Sequence, residues 1–274
     1  MTRLLVIFGA LLLSACAGVE RLAVPASELD AQVWQQHAPG STATIDHSAW
    51  DAFLAAYVAT DGAGINRVAY DQVTAADRAV LSDYLATLQA TDVTTLDRPE
   101  QLAYWINLYN AQTVAVVLDA YPVASIREIK PSTFAIGPWD IEDVAVLGRP
   151  LSLNGIEHGV VRPVFDDHRI HYALNCAAAG CPNLMDRAWR GATLEADLAA
   201  AENAYVNDPR GVRFDGDRLV LSSIYNWFRE DFGKDEASVI RSLAPLVGGE
   251  TGQRLAARIS VDAYAYDWSL NERQ

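Results

Sequence analysis

The sequence predicts a single α+β domain in which a central apolar helix packs on a mostly antiparallel sheet, with further helices around it. The first observation is the segment Leu102–Ala120, which is apolar on almost every face, as in a helix buried inside a domain. The second is a pair of hairpin signals, Gly148-Arg149 and Asp215-Gly216, each flanked by short apolar runs. The third is composition: 274 residues with 51% hydrophobic side chains are enough for one well-filled core.

The helices before and at the centre carry recognisable start and stop signals. Thr74 with Asp77 resembles a capping box and predicts a helix after it. Asp97-Arg98-Pro99-Glu100 opens the central helix, and Tyr121-Pro122 ends it. The polar residues Asn107 and Asn110 of this helix therefore need partners in the interior. Together with Arg162 they form a candidate polar network, which either fixes the helix against the sheet or forms the floor of a pocket for a polar ligand.

The second half of the chain alternates short helices and strands. We predict a short helix at Gly155–Val161, and then a buried strand at Arg169–Asn175 that runs into Cys176. The remaining predicted elements are a helix from Thr193 to Asn207, a helix at Ser222–Phe232, helices near Glu236–Val247 and Thr251–Ala257, and a closing strand at Ile259–Trp268.

The N-terminus reads as a bacterial lipoprotein signal. Arg3 precedes an apolar run, Leu4–Leu13, that is too short to span a bilayer but suits a signal peptide. Leu13-Ser14-Ala15-Cys16 resembles a lipobox, so residues 1–15 are predicted to be removed and Cys16 to carry acyl chains such as palmitate. Residues 16–45 are then a tether and residues 46–274 the folded domain. Since no Asp follows Cys16, the pattern favours the outer membrane, with the domain facing the periplasm.

Charge and missing motifs exclude several classes of function. The formal net charge of −14 repels phosphate backbones, so nucleic acid is not an expected partner. The sequence has no phosphate-binding loop, no dinucleotide-binding glycine pattern, no Gly-x-Ser-x-Gly and no His-Glu-x-x-His. We therefore expect no cofactor and no metal, and an unknown protein or small molecule as partner besides the membrane.

Five residues could carry chemistry: Glu157, His158, His171, Cys176 and Cys181. A thiolate nucleophile needs a nearby imidazole and a group that orients it, and all three types are present. The alternatives are a disulfide between the two cysteines, a zinc site of two His and two Cys, and a capping box in which Glu157 merely pairs with Asn154. Because the predicted short helix and the strand that follows are joined by a brief turn, we expect all five side chains to converge.

Four segments in this order resemble the domain of unknown function family 547, over about residues 96–270. They are Tyr104-Trp105-Ile106-Asn107-Leu108-Tyr109-Asn110-Ala111, Ile156-Glu157-His158-Gly159, Ile170-His171-Tyr172-Ala173-Leu174-Asn175-Cys176-Ala177 with Cys181-Pro182, and Trp227-Phe228-Arg229-Glu230-Asp231-Phe232. The resemblance implies a widespread domain, frequent in secreted bacterial proteins, with no agreed activity.

The predicted plan is also similar to that of papain-like and transglutaminase-like thiol enzymes, which place a cysteine at the N-terminus of the central helix. Here Glu100–Tyr104 contains no cysteine. This departure favours a cell-envelope lipoprotein that binds a ligand or partner without catalysis. The alternative is a thiol-dependent hydrolase or transferase that uses Cys181 or Cys176 with His171.

Overall fold

The computed structural model describes residues 31–273, and Cys16 and the predicted signal peptide lie outside them. About 49% of the chain is helix and 11% strand, with small antiparallel sheets, which confirms the α+β class. The described chain forms two compact units. One consists of residues 31–202 together with 267–273, and the other of residues 203–266.

The larger unit is built around its longest helix. Its first four helices are α1 (Ala31–Trp34), α2 (Ser48–Tyr57), α3 (Ala75–Ala90) and α4 (Arg98–Ala120). The predicted caps are present: the Thr74 hydroxyl accepts a hydrogen bond from the Asp77 N–H, and the Asp97 carboxylate accepts one from the Glu100 N–H. Every residue of α4 from Glu100 to Leu118 is buried except Ala115, so the prediction of a central apolar helix is confirmed.

Aromatic rings fill the core around α4. Trp105 is completely buried and meets Trp34 edge to face, with ring centroids 5.4 Å apart. Trp50 of α2 stacks on Tyr84 of α3 at 6.2 Å. The first contact joins α1 to the central helix, and the second joins α2 to α3.

The strands of the larger unit form two small antiparallel hairpins. These are β1 (Val58–Thr60) with β2 (Asn66–Val68), and β3 (Val144–Val146) with β4 (Arg149–Leu151). Residues 267–272 run beside them: Val68 forms a parallel bridge with Glu272, and Ala178 an antiparallel bridge with Leu270. The other elements are a π-helix at Gly155–Val161, α5 (Arg162–Phe165), and 3-10 helices at Tyr70–Gln72, Val93–Thr95, Ile126–Glu128, His168–Tyr172 and Gly191–Thr193.

The predicted strand at Arg169–Asn175 is wrong, because this segment begins with the 3-10 helix His168–Tyr172. The Asp167 carboxylate accepts from the Arg169 N–H and from its guanidinium, which starts the turn. Asn110 of α4 then bonds the Ala173 carbonyl and the Asn175 N–H. A side chain therefore bonds the backbone groups that a neighbouring strand would otherwise have paired with. The hydrophobic periodicity of the segment does not reveal this.

The smaller unit carries a three-stranded sheet and short helices. Helix α6 (Leu194–Val206) begins in the larger unit and ends in the smaller one. It precedes β5 (Val212–Asp215), which pairs antiparallel with β6 (Arg218–Ser222), and β6 pairs parallel with β7 (Ala263–Ala265). Gly216, with φ of 63°, makes the predicted turn between β5 and β6. The helices are α7 (Ile224–Trp227), α8 (Arg229–Phe232), α9 (Glu236–Leu243) and α10 (Gly249–Ala256).

Two predictions for this unit need correction. The single helix at Ser222–Phe232 is broken at Phe228, whose φ of −108° and ψ of 34° are not helical. The closing strand at Ile259–Trp268 is reduced to Ala263–Ala265, since only these residues pair with β6. In both cases the local pattern of apolar residues predicts which residues are buried, but it does not predict which backbone groups form hydrogen bonds.

Candidate functional site

Glu157 and His171 form a buried pair. The π-helix at Gly155–Val161 carries Glu157, and the 3-10 helix at His168–Tyr172 carries His171. Glu157 Oε1 lies 3.7 Å from His171 Nδ1, within ion-pair range but beyond ordinary hydrogen-bond length. Both residues are buried, so the carboxylate and the imidazole face each other largely out of contact with water.

The capping-box alternative for Glu157 is wrong. The Asn154 side chain accepts no capping hydrogen bond, and its amide donates instead to Asp140 at 2.7 Å. The carboxylate of Glu157 therefore faces His171 rather than the start of its own helix.

Cys176 and Cys181 are joined by a disulfide, with their Cα atoms 6.3 Å apart. The Cys176 N–H also donates to the Cys181 sulfur at 3.0 Å. A disulfide sulfur is neither a nucleophile nor a zinc ligand, because both roles need a thiolate. Among the residues that the structure describes, no group of three or more His, Cys, Asp or Glu side chains could hold a metal ion.

Asparagine side chains hold the segment that leads into the disulfide. Asn110 Nδ2 donates to the Ala173 carbonyl at 2.9 Å, and its Oδ1 accepts from the Asn175 N–H at 2.8 Å. Asn175 in turn donates to the Pro182 carbonyl at 2.8 Å and accepts from the Ala177 N–H at 2.9 Å. The last contact supports Ala177, whose φ of 58° lies in the left-handed region.

The segment at residues 267–272 covers the other side of the disulfide loop. Its backbone carbonyls at Ser269 and Asp267 accept from the N–H groups of Ala179 and Gly180 at 2.7 and 2.8 Å. Asn271 Nδ2 donates to Asn175 Oδ1 at 3.3 Å, and the Tyr70 hydroxyl donates to Asn271 Oδ1. The disulfide loop, which we define as residues 175–182, is thus hydrogen-bonded on both sides, by buried asparagines and by the backbone of the exposed residues Asp267 and Ser269.

Asn107 performs the same task as Asn110 for a different loop. Its Nδ2 donates to the Trp189 carbonyl at 2.8 Å and its Oδ1 accepts from the Trp189 N–H at 3.0 Å. His47 lies beside it and makes a 2.7 Å hydrogen bond through Nδ1 with the Tyr84 hydroxyl. Burial lowers the pKa of His47, since a charged imidazole would lose its hydration there.

His158 and Arg162 meet on one face of the helical segment. Arg162 Nη1 lies 3.4 Å from His158 Nδ1, and both side chains are half-buried.

The structure therefore brings the predicted residues together in separate sets: Glu157 with His171, Cys176 with Cys181, and His158 with Arg162. The convergence of all five candidate residues stays a prediction. Sequence reasoning missed Asn175 and Asn271 as the supports of the disulfide loop. They lie 96 positions apart, and no motif links them.

The fold and this site define an α+β domain with a central buried helix, from which Asn110 bonds the start of a disulfide-closed loop. Residues 93–206 match the model of the family described as "Protein of unknown function, DUF547". The chain therefore carries a domain of this family, as the resemblance of its motifs predicted. No curated protein and no solved structure matches the chain. None of the described helices combines the length and the apolar character needed to cross a membrane.

Proposed function

We propose that this chain is a cell-envelope lipoprotein, anchored through Cys16, whose domain binds a ligand or partner in the periplasm without thiol catalysis. The anchor rests on the lipobox Leu13-Ser14-Ala15-Cys16. The signal favours the outer membrane, with the folded domain on the periplasmic side.

One observation carries the non-catalytic part of the proposal, namely the disulfide between Cys176 and Cys181. Apart from Cys16, these are the two cysteines of the sequence, and the disulfide leaves neither of them with a thiol that could act as a nucleophile. A disulfide also fits the oxidising compartment to which the signal would direct the chain. The hydrogen bonds made by Asn110, Asn175 and Asn271 hold this loop, most of which is buried, in one conformation.

The alternative is a thiol-dependent hydrolase or transferase that uses Cys181 or Cys176 with His171. The 3.7 Å contact between Glu157 and His171 favours it, because a carboxylate that orients an imidazole is what a thiol nucleophile requires. This alternative needs the disulfide to be reduced before a reaction can begin.

The redox state of Cys176 and Cys181 distinguishes the non-catalytic proposal from the thiol-dependent alternative. The full chain is purified without reductant and treated with iodoacetamide at about pH 6, where only thiols of low pKa react quickly. We expect mass spectrometry to find Cys176 and Cys181 unlabelled, and both labelled after reduction and unfolding. Label on either cysteine before reduction would contradict the proposal and support thiol chemistry.

A further inference from the structure

The two cysteines of the disulfide loop differ in their access to solvent. Cys181 is only 3% exposed, whereas Cys176 is partly exposed. Cys176 is in fact the only residue of the disulfide loop that is not buried, since both of its neighbours, Asn175 and Ala177, are enclosed. A small molecule that approaches this disulfide from solvent therefore meets Cys176 first.

The backbone favours Cys181 as the sulfur that departs when the disulfide is attacked. A thiolate that attacks one sulfur of a disulfide breaks the bond, and the other sulfur takes up the negative charge. The Cys176 N–H donates to Cys181 Sγ at 3.0 Å, and a hydrogen-bond donor at this position stabilises a charge that forms there. Solvent access and hydrogen bonding thus favour the same direction, with attack at Cys176 and departure of Cys181.

Hydrogen bonds that contain no sulfur hold the disulfide loop in place. Asn110 bonds the Asn175 N–H, and the Asn175 side chain bonds the Pro182 carbonyl. The backbone of residues 267–269 bonds the loop from its other side. The disulfide itself joins residues only five apart, and closing so short a loop restricts the unfolded chain little. The disulfide can therefore open and close while the surrounding fold is retained.

We propose that Cys176 is a site of reversible disulfide exchange with low-molecular-weight thiols. The thiolate of the small molecule forms a bond to Cys176 Sγ, the bond between the two cysteines breaks, and its electron pair leaves on Cys181 Sγ, which takes a proton from water. Attack of Cys181 on the mixed disulfide reverses the step and expels the thiol, so no other oxidant or reductant is consumed. A small thiol suits the site because the buried neighbours of Cys176 leave no projecting segment for a protein thiol to grip. The inference goes beyond the proposed function, since it concerns a covalent modification and neither ligand binding nor turnover.

The first test treats the full chain, folded in detergent, with 2-mercaptoethanol as a small neutral monothiol. Trichloroacetic acid stops the exchange at successive times, and the precipitated chain is dissolved in denaturant with excess N-ethylmaleimide. Peptide mass spectrometry then locates both groups. We expect mercaptoethanol on Cys176 and maleimide on Cys181 to exceed the opposite arrangement by about tenfold or more. Equal amounts of the two arrangements, or an excess of the opposite one, would overturn the inference.

Two matched variants measure the access of each sulfur separately. Cys181→Ser leaves the thiol of Cys176, and Cys176→Ser leaves the thiol of Cys181. Each variant is treated with hydroxyethyl disulfide, from which a cysteine thiolate takes one mercaptoethanol group and releases the other as 2-mercaptoethanol. In the folded chain, checked by circular dichroism, Cys176 should react about tenfold faster than Cys181 or more, whereas in denaturing urea the two should react at similar rates. Similar rates in the folded chain would contradict the assignment.

A protein thiol tests the restriction to small molecules. Serum albumin, which carries one free thiol, should form no mixed disulfide with the folded chain under the conditions in which 2-mercaptoethanol reacts. An albumin adduct on Cys176 would contradict this restriction.

Failure of this inference is distinct from failure of the proposed function. Iodoacetamide label on either cysteine before reduction contradicts the disulfide itself and with it the non-catalytic proposal. Exchange at Cys181, or exchange only after unfolding, leaves the disulfide in place and overturns only the assignment of Cys176. The acylation of Cys16 is measured separately and bears on neither result.

Discussion

Replacing Asn110 with alanine should loosen the disulfide loop and destabilise the fold. Asn110 is 2% exposed and bonds one buried carbonyl, that of Ala173, and one buried N–H, that of Asn175. The alanine variant leaves both backbone groups buried without partners. Each costs about 1–3 kcal/mol, so the free energy of unfolding should fall by roughly 2–6 kcal/mol.

Two assays separate the global effect from the local one. Urea unfolding, followed by tryptophan fluorescence, gives the change in unfolding free energy. The rate at which dithiothreitol reduces the Cys176–Cys181 disulfide under native conditions reports opening of the disulfide loop. We expect this rate to rise at least tenfold, the equivalent of about 1.4 kcal/mol in local opening.

Asn107→Ala is the matched control, since Asn107 lies one turn earlier on α4 and makes the same pair of hydrogen bonds to Trp189. It should lower the free energy of unfolding by a similar amount. Under native conditions, without urea, its disulfide should be reduced at close to the wild-type rate. Equal acceleration by both variants, or none by Asn110→Ala, would refute the assignment of Asn110 to the disulfide loop.

Three further predictions concern the core, the pH dependence and the anchor. Trp105→Ala should lower the unfolding free energy by roughly 3–5 kcal/mol in urea titrations, and an immeasurably small change would contradict its place in the core. Burial lowers the pKa of His47 in the folded chain, so as the pH falls the unfolded chain takes up a proton on this imidazole before the folded chain does. The free energy of unfolding should therefore decrease as the pH drops below about 6.5. His47→Gln should reduce that loss, which thermal melts from about pH 7 to 5 can measure. Cys16→Ser should abolish palmitate labelling and leave the signal peptide uncleaved, and persistent label would disprove the anchor.

Capping residues made the central helices predictable from sequence. Thr74 and Asp97 bond the first turns of α3 and α4, and these contacts reach only three residues along the chain. The turn at Gly216 is equally local, because it depends on a positive φ that glycine adopts without steric cost. Such features depend on neighbours in sequence, so a pattern can reveal them.

The supports of the candidate site could not be found in this way. The segment after Asp167 looks like a buried strand, because its apolar run is the same whether a strand or a 3-10 helix is buried. Its true conformation depends on Asn110, more than sixty positions earlier in the chain. The sequence revealed that Asn110 needs buried partners, but not which backbone groups would provide them.

The position of residues 267–272 against the disulfide loop has a consequence for the order of folding. Cys176 and Cys181 are five residues apart and can pair as soon as both are present under oxidising conditions. Their loop gains its outer hydrogen bonds only when Asp267, Ser269 and Asn271 arrive, after the whole unit at 203–266 has been delivered. We therefore expect oxidation to precede the docking of residues 267–272, and the disulfide loop to remain accessible to proteases until they have docked.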